Sequence, residues 1–173
     1  MDIEFSLPQY NEIPAVGLFL EQVAKYINEY LAKLGEPELT GSMISNYVKK
    51  DIIDNPVKKQ YSRDQIAYLI FIAVTKTVIS LDDINIIFEM QKQNSDVESA
   101  YTYFREEFSS ILEAVLKEVD MPVCNLKVND ISGASDESAD EAKFRLRLIV
   151  RNVLVTVAHK IYLDKTFAMM RNV

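Results

Sequence analysis

"LTGSMISNYVKKDIIDNPVKKQYSRDQIAYLIFI", Leu39 to Ile72, is the stretch whose reading decides the fold. Thr40 stands where a helix N-cap belongs, and Ile44, Tyr47 and Val48 follow at the steps of one helical face. The other face is Ser42, Ser45, Asn46 and Lys49, short hydrogen-bonding groups first and a lysine later, in a helix expected to reach about Lys50. Beyond Ile52 and Ile53, Asn55-Pro56 marks a turn, and Val57 to Tyr61 alternates weakly, as a small hairpin or an extended crossing would. Ser62 and Gln65 have capping-box spacing directly before an apolar run, so a helix is expected from Arg63 to about Val78.

Upstream, residues 1–14 carry Pro8 and Pro14 and no sustained period, which implies an arm packed through Ile3, Phe5 and Leu7. From Ala15 to Leu34 the residues Val16, Leu20, Val23, Ile27, Leu31 and Leu34 keep helical spacing, with Gly35 as the C′ residue. Downstream, Ser80 caps a further helix through Leu81, Ile84, Ile87, Phe88 and Met90. Another helix is expected from Val97 to Val119, closed by Pro122. Residues 128–141, "VNDISGASDESADE", are acidic and Ser-rich and imply a loop. The last helix, Ala142 to about Met170, is apolar nearly all round between Leu146 and Val157, as a central helix or a dimer seam would be. The expected class is therefore all-α, with an arm at 1–14, a helical unit at 15–91 and a helical region at 94–173.

With 173 residues and nearly half of them apolar, the chain can bury a core without staples. No apolar run approaches the length of a bilayer span, and no secretory leader opens the chain, so a cytoplasmic protein without a membrane partner is expected. Cys124 is the only cysteine and His159 the only histidine, so no disulfide, thiolate metal centre or paired acid–base site is expected. Asp82-Asp83 and Glu106-Glu107 are adjacent and point apart on a helix. Asp130, Asp136, Asp140 and Glu141 lack the spacing of a calcium loop. The expectation is a protein that is not an enzyme and has no cofactor or metal.

The net charge of −7 argues against nonspecific nucleic-acid binding by the whole surface, yet its distribution is uneven. From Thr40 to Arg63 the bases Lys49, Lys50, Lys58, Lys59 and Arg63 face only Asp51 and Asp54, about +3 locally. In a helix-turn-helix, Ser42, Ser45 and Asn46 would face base edges and these bases would hold phosphates. On a merely solvated helix, the same residues are its wet side.

The residues Met43 to Ile53, then Lys59-Gln60-Tyr61-Ser62, then Val78 to Ile84, resemble in order and spacing the winged helix-turn-helix domain of the MerR family of bacterial transcription regulators. That family has a recognition helix of the type T-I-R-Y-Y-E-R-x-G-L-I, a wing with R-x-Y-s, and a helix opened by G-F-s-L-e-E-I. Ser45 and Asn46 stand in place of its Arg-Tyr pair, Asp51 in place of its Gly, and the connection from Pro56 to Tyr61 is short for a wing; Tyr47 and Lys49 keep their type. The full-length pattern also resembles a bacterial family described only as a domain of unknown function.

The MerR resemblance implies double-stranded DNA as partner, with Ser42, Ser45, Asn46, Tyr47, Lys49, Lys50, Lys58, Lys59 and Arg63 as contacts, and a C-terminal region that dimerises and senses an effector. Any effector here is expected to be small and organic, held near Tyr101, Tyr103, Phe104 and Phe108; the same aromatics stand at core spacing, and packing alone accounts for them equally. A helical interaction module that has lost DNA binding is the alternative, consistent with the acidic total and the substituted Arg-Tyr pair.

Overall fold

The computed structural model describes residues 6–116 and 139–171, and they are mostly helical. In chain order they form a single 3₁₀ turn (Tyr10–Glu12), β1 (Leu18–Phe19), α1 (Leu20–Leu34), α2 (Gly41–Lys49), β2 (Gln60–Tyr61), α3 (Arg63–Thr75), α4 (Leu81–Asn94), α5 (Val97–Leu116) and α6 (Ala139–Arg171). The expected class, all-α with a small hairpin, is what is found.

The helix starts are set locally. The Thr40 hydroxyl accepts from the Met43 amide at 3.2 Å. Ser62 and Gln65 bond reciprocally, the Ser62 amide donating to Gln65 Oε1 at 2.8 Å and the Gln65 amide to Ser62 Oγ at 3.3 Å. The Asp83 amide donates to Ser80 Oγ at 3.2 Å. Each bond satisfies an amide that the helix itself leaves open.

At the end of α1, Gly35 lies at φ 76° and the Glu36 amide reaches back to the Leu31 carbonyl at 3.2 Å. The end of α2 repeats this closure without glycine. Asp51 sits at φ 55°, its amide donating to the Val48 carbonyl and that of Ile52 to the Tyr47 carbonyl, both at 3.0 Å. That bond pair is the Schellman closure, which favours glycine at the left-handed position. Asp51→Gly is therefore expected to raise stability by about 0.5–1 kcal/mol and the melting temperature by about 2 °C, read by thermal unfolding.

Three expectations are corrected. The helix expected from Ala15 begins at Leu20, because Leu18 and Phe19 pair with Tyr61 and Gln60 as an antiparallel ladder, and Val16 is 77% exposed. The last helix begins at Ala139 rather than Ala142, so the end of the expected acidic loop is helical, with Glu141 paired to Arg145. The centre of the core is α3, buried along the whole run Leu69–Thr75, and α6 is not central. It buries one stripe, Leu146, Val150, Leu154, Val157, Ala158 and Ile161, and leaves Phe144, Ile149, Leu163 and Met169 exposed. Ile3, Phe5, Pro122, Cys124, Asp130, Asp136 and most of the expected acidic loop lie outside the described residues.

One apolar cluster runs from Leu7 to Ile161 through every helix. Aromatic contacts carry it from α4 across α3 to α5: Phe88 on Phe71 with ring centres 5.6 Å apart, and Phe71 on Phe104 at 5.1 Å. Tyr103 donates to the Arg147 carbonyl at 3.3 Å and Glu107 pairs with Arg151, so α5 and α6 run parallel. The N-terminal arm is stapled by side chains donating to its carbonyls: Tyr101 to Pro8, Arg105 to Leu7 and Arg63 to Ile13, all within 2.9 Å.

Candidate nucleic-acid interface

α2 and the turn before β2 carry the charged stretch, and the start of α1 lies against both. Gly41, the first residue of α2, packs so closely on α1 that a Cβ there would meet Glu21 Oε1 at 2.9 Å and Leu20 at 3.3 Å. Gly17, just before β1, lies against β2, where a Cβ would meet that of Gln60 at 2.8 Å. Residues 17–21 thus adjoin both the N-terminal end of α2 and the strand that leaves the lysine turn. The residues Asn28 and Lys76 anchor the loop before α2. Asn28 brackets Leu39, donating to its carbonyl at 3.0 Å and accepting from its amide at 2.8 Å. The ammonium of Lys76 donates to the Pro37 and Glu38 carbonyls. Burial holds the Lys76 pKa below its usual range, against the pull of Glu36.

On α2, Ser42, Asn46 and Lys49 are exposed and Ser45 is half-buried, and Lys50, which caps the helix C-terminus, is exposed as well. Tyr47 is core at 4% exposure, and burial pushes its hydroxyl pKa up. A short polar and basic stripe therefore faces solvent while Ile44 and Tyr47 hold the helix down.

Lys58 and Lys59 are the two central residues of a tight turn. The Gln60 amide donates to the Val57 carbonyl at 2.9 Å, and the lysines lie at φ 51° and 65°. Positive φ at both central positions is the type I′ pattern, which normally selects Asn-Gly. Two side chains bearing a Cβ, both cationic and both exposed, sit where the backbone favours neither.

Arg63 is engaged elsewhere. Its Nε donates to the Ile13 carbonyl at 2.8 Å, an Nη to that of Asn11 at 3.4 Å, and its guanidinium lies over the Tyr10 ring. Tyr10 in turn donates to Asp64, and burial together with that carboxylate pushes its pKa up to about 12.

Two neighbours of the lysines escaped the sequence reading. Phe19 and Val57 flank Gln60 in the ladder and are 50% and 75% exposed, an apolar edge beside the basic turn. A two-residue strand is too short to show a period, so only the apolar pair itself could have marked them.

His159 is exposed, with Nδ1 2.8 Å from the Val155 carbonyl. No cluster of His, Cys, Asp or Glu suited to a metal occurs among the described residues. No helix among them is long and apolar enough to cross a membrane. Of the aromatics expected to hold an effector, Phe108 is fully buried, while Tyr101, Tyr103 and Phe104 line a cavity.

No curated protein and no solved structure matches this chain. One family model matches residues 8–104, more than half of the chain, from the arm to the first part of α5. On that match, the chain belongs to the family described as Domain of unknown function (DUF1836).

Proposed function

We propose that this protein is a DNA-binding transcriptional regulator of MerR-like winged helix-turn-helix type, acting in the bacterial cytoplasm as a homodimer. The observation that carries this reading is the lysine pair held at positive φ on the turn before β2. Strained backbone is retained where side-chain placement matters more than stability, and two cations on a projecting tight turn suit a phosphate backbone. The exposed stripe Ser42, Asn46 and Lys49 on a short capped helix suits a groove, with Asn46 able to make two hydrogen bonds to adenine. Lys49, Lys50, Lys58 and Lys59 hold phosphates; Tyr47 and Arg63 support the frame. The exposed apolar residues Ile149 and Leu163 on α6 suit a face for a second copy, and meeting successive major grooves requires the two copies of α2 to lie about 34 Å apart or a multiple of it.

The test is DNA retention by the Lys49→Ala, Lys59→Ala double variant. Retention is expected to fall uniformly across sequences, and the slope of log affinity against log salt to flatten by about 2, close to one unit per phosphate lost. A wild-type protein with no salt-sensitive retention on its own upstream region overturns the reading.

The exposed Phe19 and Val57 favour a second reading, a protein-interaction module without DNA binding. Such a module keeps its partner in the lysine double variant and loses it in Phe19→Ser.

A further inference from the structure

The aromatic helices α3, α4, α5 and α6 enclose a cavity of about 110 Å³ that the DNA-binding reading does not use. Its deep wall is Ala67, Phe71, Phe88, Tyr101 and Phe104, all buried. The polar groups at its edge are already bonded to one another: Tyr68 donates to Gln91 Oε1 at 2.6 Å, and Gln91 Nε2 donates to the Ser95 carbonyl at 2.7 Å. A water held inside needs two to four polar partners, and this wall offers few.

The mouth is different in kind. Lys143 and Arg147 line it, both exposed, one helical turn apart on α6. Like charges at that spacing repel, and among the described residues no carboxylate lines the cavity to offset them. The Arg147 guanidinium lies over the Tyr103 ring at 5.2 Å, which fixes its plane at the rim.

An apolar, aromatic-walled space opening onto two cations describes a ligand with a flat hydrocarbon body and one negative end. The size narrows it further, since an engineered apolar cavity of about 150 Å³ accepts a benzene ring. We propose that this cavity is a binding site for a small single-ring organic carboxylate, ring against Phe71, Phe88 and Phe104, carboxylate at Lys143 and Arg147. Guanidinium and ammonium donors at the mouth supply the charge-assisted bonds that distinguish the acid from its neutral analogue.

The test uses the full chain and sodium benzoate, read by thermal shift and by chemical-shift titration, with sodium acetate at equal ionic strength and benzyl alcohol as comparisons. The expected result is saturable binding of benzoate, at least ten-fold weaker binding of benzyl alcohol, and none of acetate. Ala100→Leu, which fills the cavity, is expected to abolish binding; Ala67→Val serves if that variant does not fold by circular dichroism. Lys143→Gln with Arg147→Gln is expected to weaken benzoate at least ten-fold and leave benzyl alcohol unchanged. Absence of saturation, binding that survives in the filled variant, or indifference to loss of both cations overturns the proposal. No DNA enters the experiment, so its outcome and that of the regulator reading are separable.

Discussion

Replacing Lys58 with Asn and Lys59 with Gly should make the protein more stable by about 1 kcal/mol while lowering its retention on DNA about ten-fold. A Cβ at φ 51° or 65° crowds the neighbouring carbonyl, at a cost of roughly 1 kcal/mol per residue. Asparagine tolerates that region and glycine has no penalty there, although the added freedom of glycine in the unfolded chain cancels part of the gain. The same exchange removes two cations from an exposed turn, and each lost phosphate contact weakens binding independently of sequence. The two effects have opposite signs, which makes the variant diagnostic. Urea unfolding should show a higher midpoint with an unchanged slope, and salt-dependent retention should fall together with its salt slope. A control with arginine at both positions keeps the charge and the strain and should match wild type in both measurements. Full retention by the Asn-Gly variant would exclude these lysines as DNA contacts, and an unchanged midpoint would exclude the strain.

The parts of this fold that are legible in the sequence are those that close within a few residues. Thr40, Ser62 and Ser80 cap helices because each oxygen reaches an amide three residues ahead, and Gly35 ends α1 within one turn. What escapes sequence reading is long-range. The ladder between Leu18–Phe19 and Gln60–Tyr61 joins segments on either side of two helices, and each strand is too short to show alternation. Val16 has the spacing of the α1 apolar face but sits in a bend before Gly17 and β1, outside the helix. Apolar content alone does not separate α3 from α6; packing from every side buries the first, whereas the second meets its neighbours along one stripe. Among the candidate contacts, charge identifies which residues can meet a phosphate and not what else they hold. Arg63 has the charge, but its fork is taken up by two arm carbonyls and a tyrosine ring.

Lys160→Ala should lower stability by about 2 kcal/mol, and the same substitution in a Glu36→Gln background should cost less than half as much. The Glu36 side chain is 2% exposed, the most deeply buried carboxylate among the ion pairs described. One of its oxygens faces Lys160 Nζ at 3.4 Å and the other has no hydrogen-bond partner. Removing the lysine leaves a buried carboxylate that the field of Lys76 offsets in part, and that desolvated state is what costs stability. Glutamine carries no charge to strand, so the penalty shrinks in its presence. The pH dependence has a definite sign. The bond to Asp164 first, and then the nearby Glu36, raise the Lys160 pKa above its ordinary 10.5, against the opposing effect of burial. An amine whose pKa is raised by folding stabilises fully below its unfolded value and ceases to do so as pH climbs through the folded one. The gap in stability between wild type and Lys160→Ala should therefore be constant near neutrality and close above about pH 10.5. Glu36 opens the loop that Lys76 and Asn28 hold against the start of α2, so loosening it should be felt there first. Faster amide exchange at Met43 and Ile44 in Lys160→Ala, with Ile70 and Ile72 of α3 unchanged, would locate the loss at α2; uniform acceleration would place it in the global fold instead.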